Sequence, residues 1–261
     1  MRCIALNFEI IDFHTHPFLL HEDNICYYKD IMNMSYESFA EDMAAAGVSR
    51  FAGSVIHKCP GDDLRSMLTS NEMAYKLSDL YGEKYIPGIH IHPAYPEESV
   101  KAMDEAHARG VKLIGELVPY FYNWSDYSAP EFSELLDYAE KYGMTVSLHT
   151  IDLSAMERMA LEHKNINFVF AHPGEKAQVM LHEEVMKKCD NVYLDLSGTG
   201  LFRHGMLKYL TKSVGAQRIL FGTDYPVCNL RLYIGGMLDE GLSDSELELI
   251  FAKNAKRLLG I

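Results

Sequence analysis

Apolar runs of strand length alternate with amphipathic stretches of helix length, and the alternation repeats eight times along 261 residues. The strand-like runs are Ile10–His14, Arg50–Ile56, Tyr85–Ile91, Val111–Val118, Thr145–His149, Asn167–Ala171, Val192–Leu196 and Arg218–Gly222. Among the helical stretches, Glu131–Tyr142 places Phe132, Leu135, Leu136 and Ala139 at one-face spacing. Pro96–Arg109 is closed by Gly110, a helix stop, and Glu175–Lys188 and Ser243–Leu259 follow the same pattern. Strands interleaved with helices imply βαβ units and a parallel sheet. Eight such units in a chain of this length fit a closed barrel better than an open sheet. The expected fold class is therefore α/β, a single (β/α)8 TIM barrel over residues 1–261. The longest irregular stretches, Pro17–Ser35 and Tyr120–Ala129, each follow a strand. In a barrel that puts them on the face where active sites are built.

Composition narrows the partners. A net charge of −13 argues against a general nucleic-acid or anionic-membrane surface. A small-molecule substrate remains, even an anionic one, because a bound cation inverts the local field. No apolar run approaches the length that spans a bilayer, and the first nine residues are too short for a secretory signal. Five cysteines, Cys3, Cys26, Cys59, Cys189 and Cys228, show no C-x-x-C spacing, which suits free thiols in a reducing cytoplasm. The subunit count is left open, a homo-oligomer included.

The polar residues at the strand ends carry the chemistry. A barrel strand is buried on both faces, so a charged or imidazole side chain there needs a reason. His14 and His16 end the first strand, with Asp12, and i, i+2 spacing puts all three on one face, away from Phe13 and Thr15. Glu116 ends the fourth, His149 the fifth and His172 the sixth, while Asp224 follows the eighth. Each alone has a plainer reading: His149 as a hydrogen-bonded core histidine, His172 in a turn, Glu116 paired with Lys112, Asp224 as a helix cap. All of these would have to hold together, and a metal site at one mouth of the barrel explains the set more simply. Four imidazoles and two carboxylates suit Zn²⁺ or another first-row divalent ion, one ion or two. Candidate substrate contacts are His57, His92, Tyr120 and Arg203, with Lys58 and His204 beside two of them. His90 and His92 form a second His-x-His, with ligation the weaker reading, and Tyr120, Tyr122 and Trp124 form an aromatic loop. His21, His107, His163 and His182 read as surface residues.

With those residues in place the chain resembles the amidohydrolase superfamily. Its hallmarks are His-x-His after strand one, Lys or Glu on strand four, His after strands five and six, and Asp after strand eight. The endings His172-Pro173-Gly174 and Gly222-Thr223-Asp224-Tyr225-Pro226, and the closing Asn254-Ala255-Lys256-Arg257-Leu258-Leu259, look like the amidohydrolase-related branch, which also contains metal-dependent decarboxylases. Glu116 looks more like the strand-four Glu of TatD-type hydrolases, which bridges two metals. The resemblance implies His14, His16 and Asp224 on a first metal, His149 and His172 on a second, and Glu116 between them. In a one-metal version His172 orients the water. It implies catalytic roles for Asp224, as proton shuttle, and for His172. The implied activity is hydrolysis of a small amide, lactone or ester by metal-activated water, with a phosphoester lower in order. The alternatives are non-oxidative decarboxylation on the same scaffold and a metal-binding barrel without catalysis.

Overall fold

The computed structural model describes residues 8–261. Eight strands run β1 Ile11–Thr15, β2 Arg50–Ser54, β3 Tyr85–Ile89, β4 Leu113–Leu117, β5 Thr145–His149, β6 Asn167–Ala171, β7 Val192–Asp195 and β8 Ile219–Leu220. All neighbouring pairs are parallel, in the order β1 to β8. β8 meets β1 through backbone hydrogen bonds from Phe13 to Phe221 (2.8 Å) and from His16 to Tyr225 (2.8 Å), which brings the sheet round into a (β/α)8 barrel. The helices are α1 Lys29–Met32, α2 Tyr36–Ala46, α3 Asp63–Tyr81, α4 Pro96–Ala108, α5 Pro130–Lys141, α6 Leu153–Glu162, α7 Lys176–Lys188, α8 Met206–Val214, α9 Leu230–Asp239, α10 Asp244–Glu248 and α11 Asn254–Leu259. Their starts are set locally. Ser35, Asp62, Asp152, Asn229 and Ser243 accept backbone N–H bonds as caps, and Pro96 and Pro130 open α4 and α5. No helix among the described residues is long and apolar enough to cross a membrane.

Two layers of core follow from the strand faces. Outward residues such as Ile114, Val146, Leu148, Phe168 and Phe170 pack beneath the helices. Ile11, Phe13, Ala52, Leu113, Val169, Tyr193 and Leu220 come from strands all round the barrel yet touch one another, so they fill its interior. Ala255, Leu258 and Leu259 of α11 join that cluster. Thr145 Oγ1, at the start of β5, donates to the Leu258 carbonyl (3.1 Å), so α11 plugs the N-terminal end. The opposite mouth is left for polar residues.

The structure differs from the sequence reading in several places. β1 keeps Ile11 and Phe13, two residues apart, together in the interior cluster, but its register against β2 shifts between Asp12 and Thr15. β8 shrinks to two residues, because Phe221 N–H turns to the Ile250 carbonyl (2.9 Å). The expected helix Ser243–Leu259 is continuous in direction but passes through a π-helical stretch, Leu249–Lys253, around that same Ile250. Pro17–Ser35 is not wholly irregular: it holds a 3-10 turn, His21–Asp23, and α1. A 3-10 turn, Pro119–Tyr122, likewise opens the stretch after β4. His163 and His182 are buried rather than superficial, hydrogen-bonded to Ser133 Oγ (2.8 Å) and Thr150 Oγ1 (3.2 Å). Cys3 and the other residues of the first seven lie outside the described residues.

Candidate active site

Six side chains from five strand ends converge at the open mouth. His14 Nε2 and His16 Nε2 are 3.2 Å apart, and Glu116 Oε2 is 3.3 Å from each. Asp224 Oδ1 lies 3.5 Å from His16 Nε2 and 3.8 Å from His14 Nε2. The other oxygen of the same carboxylate, Glu116 Oε1, faces His149 Nδ1 at 3.0 Å and His172 Nε2 at 3.3 Å, and those two nitrogens are 3.1 Å apart. Glu116 thus stands between two groups of donors. Two ligands at about 2.0–2.1 Å on a tetrahedral ion are separated by about 3.3–3.4 Å, close to most of these distances. The sets His14, His16, Asp224 and His14, Glu116, His172 each bring three donor atoms within 4.8 Å of one another.

The remaining ring nitrogens show which atoms face inward. His14 Nδ1 lies 2.9 Å from Asp195 Oδ2, and His16 Nδ1 lies 3.0 Å from the Ser54 carbonyl. Carboxylate and carbonyl only accept, so both Nδ1 atoms carry the proton, and in the neutral rings both Nε2 atoms present lone pairs. Ser197 Oγ donates its one proton to Asp195 and therefore accepts from His172 Nδ1 at 3.0 Å, which leaves His172 Nε2 as a third inward lone pair. Lone pairs facing one another repel unless positive charge lies between them. His149 has its Nε2 3.4 Å from the Tyr120 hydroxyl.

The charges give the same account. Burial alone would push the His14 imidazole down, but the Glu116 and Asp195 carboxylates hold it well above its ordinary range. Burial opposes ionisation of Glu116, yet His14, with His149 and His16 beside it, keeps it well below the usual carboxylate range. Asp195 is likewise lowered against its burial, chiefly by His14. Asp224 is the contrast: burial raises it in spite of the neighbouring imidazoles. Two carboxylates, Glu116 and Asp224, face the same inward nitrogens, with Asp195 behind the His14 ring, and a divalent cation meets that charge more fully than a protonated imidazole. The donor set therefore fits a metal ion. Access is one-sided. The side chains of His14 and Glu116 are 1% and 3% exposed, whereas Asp224, His172 and His149 reach 13%, 17% and 24%.

His172 and Asp224 share a backbone feature. Both have positive φ, 67° and 65°, unusual for residues with a Cβ. Gly198 packs beneath the first: a Cβ on it would lie 2.3 Å from His172 Nδ1. Of the expected substrate contacts, Tyr120 stands over His149 at the mouth. His92 does not offer a free nitrogen: Nε2 bonds the Tyr122 carbonyl (2.7 Å), and Nδ1 accepts from Ala94 N (3.1 Å). Arg203 is held by Glu175 through two bonds of 2.9 Å on an exposed rim, and His57 is engaged by Asp23. Asp195 and Ser197 were absent from the strand-end pattern. The one available signal was a carboxylate inside the apolar run Val192–Leu196. Asp12 does not join the cluster: its carboxylate accepts from Thr223 and from His14 N, and burial raises it to about 7.

Fold and site together define a (β/α)8 barrel with an imidazole–carboxylate centre at its C-terminal mouth. Residues 11–261 match the family model described as Amidohydrolase, and the chain belongs to that family. No curated protein matches the chain in sequence. Solved structures share the fold at low identity. An uncharacterised TIM-barrel protein from Bordetella bronchiseptica has a TM-score of 0.79 at 21% identity, covering 97% of this chain and 99% of that one. A dihydroxybenzoic acid decarboxylase from a Polaromonas species, with bound manganese and 2-nitroresorcinol, has a TM-score of 0.65 at 16% identity, covering 97% of each. A probable 2-pyrone-4,6-dicarboxylic acid hydrolase from Acinetobacter baumannii, with citric acid bound, has a TM-score of 0.67 at 14% identity, covering 97% and 100%.

Proposed function

We propose that the protein is a metal-dependent hydrolase that uses water to open a small amide, lactone or ester at the mouth of its barrel. The observation that carries this is the 3.2 Å approach of His14 Nε2 and His16 Nε2, with Glu116 Oε2 3.3 Å from both. His14, His16 and Asp224 would hold a first divalent ion, and His149 and His172 a second, with Glu116 between them. Zn²⁺ suits a nitrogen-rich set of this kind, and the manganese in the Polaromonas decarboxylase makes Mn²⁺ the other ion to test. An ion bound there would supply acidified water and an electrophile for the substrate's carbonyl oxygen.

The chain's own groups then divide the work. Asp195 and the Ser54 carbonyl fix the His14 and His16 rings, which keeps their Nε2 atoms inward. Glu116, held ionised, is poorly suited to carry a proton. Asp224 is raised by burial and partly open to the mouth, so it takes a proton on its carboxylate and returns it to the leaving group. Tyr120, half exposed above His149, stands where a substrate enters.

A second reading, non-oxidative decarboxylation, draws on the names of structural neighbours that act on dihydroxybenzoate and 5-carboxyvanillate. Those neighbours share the fold at only 13–16% identity, and Asp224, raised by burial and partly open to the mouth, is the proton-carrying carboxylate that supports the first reading. The presence of Asp224 argues against a barrel that only binds metal. The test is a substrate panel on Zn²⁺- and Mn²⁺-loaded protein, with acid release followed for lactones, esters and amides and CO₂ release for carboxylated phenols. Hydrolysis without CO₂ release is expected. CO₂ release alone would establish the second reading, and neither activity with either ion would remove both.

A further inference from the structure

Three side chains that the donor cluster does not use stand in line beyond the end of β2. Cys59 Sγ is 3.4 Å from His57 Nε2, and His57 Nδ1 is 2.8 Å from Asp23 Oδ1. Asp23 is buried, and its Oδ2 has no hydrogen-bond partner among the described residues. A carboxylate only accepts, so the His57 Nδ1 proton points to Asp23 and Nε2 turns its lone pair to the thiol. This is the order nucleophile, base and orienting carboxylate. The loop that carries it is pinned to α3: His57 N donates to Ser70 Oγ (3.0 Å) and Cys59 N to Ser66 Oγ (2.9 Å). Cys59 and His57 are both partly exposed, and Lys58 between them is exposed with its Nζ 4.3 Å from the Phe121 ring centre.

The other described cysteines differ. Cys189 is buried, while Cys26 and Cys228 are partly exposed like Cys59 but have no imidazole in hydrogen-bond contact. They serve as internal controls within one chain. Acyl transfer is the less suitable chemistry for Cys59, because its own N–H, the usual donor to an oxyanion at such a nucleophile, is spent on Ser66. Exchange with a disulfide needs no oxyanion site.

We propose that Cys59 is a reactive thiol that exchanges with low-molecular-weight disulfides, with His57 as its base and Asp23 as the positioning group. The thiol proton passes to His57 Nε2 as the sulfur attacks one sulfur of the disulfide. The Cys59–S bond forms, the S–S bond of the reagent breaks, and the expelled thiolate takes the proton from His57. The products are a mixed disulfide on Cys59 and one free thiol, the disulfide being the oxidant. The adduct stands on the rim that packs against the β4 loop, where Ser70 Oγ also meets the Tyr122 hydroxyl (3.0 Å).

The experiment uses the full-length, metal-loaded protein at neutral pH with oxidised glutathione as the reagent, acid quenching and peptide mass mapping over time. Cys59 is expected to be modified at least about fivefold faster than Cys26 and Cys228. His57→Asn should slow Cys59 by at least about fivefold, and Asp23→Asn should slow it less, with the Cys26 rate unchanged in both. A smaller ratio in the wild-type protein overturns the proposal by itself, even if a variant fails to fold. So does a folded His57→Asn protein whose Cys59 reacts as fast as before.

Discussion

Gly198 decides where His172 stands. Its φ of +68° already disfavours a side chain, and an added Cβ would meet His172 Nδ1 at 2.3 Å. Gly198→Ala should cost about 1–3 kcal/mol in denaturant melts and lower turnover at least about tenfold by moving the ring. Asp224→Asn tests proton transfer apart from binding. Turnover should fall by about 10²–10⁴, while equilibrium dialysis shows metal still held by the imidazoles. A variant that keeps metal and turns over within a few-fold of wild type would remove Asp224 from the proton path. At this scale the sequence was informative where a polar residue interrupts an apolar strand at its end, as at His14, Glu116 and His149. Asp195 showed only as a carboxylate inside an apolar run, and Ser197 not at all, because the His14 ring they face lies 181 and 183 residues away and only closure of the barrel brings them together.

Among the elements, α7 and α8 are joined by one buried carboxylate. Glu183 on α7 accepts from Lys187 on the same helix, from Tyr209 on α8 and from Ser213 on α8. Those hydrogen bonds, Lys187 first, lower it from 4.5 to about 2. A lowered folded value stabilises the protein above the unfolded value, and this contribution is lost as pH falls from 4.5 toward 2. Glu183→Gln should therefore be less stable than wild type at neutral pH and lose less stability across that acid window, as read from urea midpoints at a series of pH values. Equal acid dependence in the two proteins would show that the cluster contributes nothing. The positions of strands and helices were legible from apolar periodicity, and β5 and β6 fall where the apolar runs place them. What periodicity does not encode is competition for a single backbone group. The Ile250 carbonyl accepts from Phe221, just past the end of β8, and the expected unbroken helix becomes a π-helical stretch there. His163 and His182 were misread for a related reason: each helix-borne or loop-borne ring is buried against a hydroxyl that lies elsewhere in the sequence.

Across the whole molecule, one end of the barrel is closed by apolar side chains and α11, and the other gathers imidazoles and carboxylates from β1, β4, β5, β6 and β8. A ligand that joins five strands binds the folded state alone. At one hundred times its dissociation constant it adds about 2.7 kcal/mol, which is about 5–10 °C for a chain of this size. Removing metal with a chelator should lower the melting temperature by that amount, and adding Zn²⁺ or Mn²⁺ should restore it in differential scanning calorimetry. An unchanged melting temperature would place any bound ion away from the strand ends. The most direct measurement is the metal content of protein purified without chelator, compared with the His14→Ala, His16→Ala double variant by elemental mass spectrometry after identical incubation with Zn²⁺ or Mn²⁺. The account predicts one to two equivalents in the wild-type protein and, in the folded variant, the loss of at least one of them. Less than about one tenth of an equivalent in wild type, or equal content in the two proteins, would contradict it.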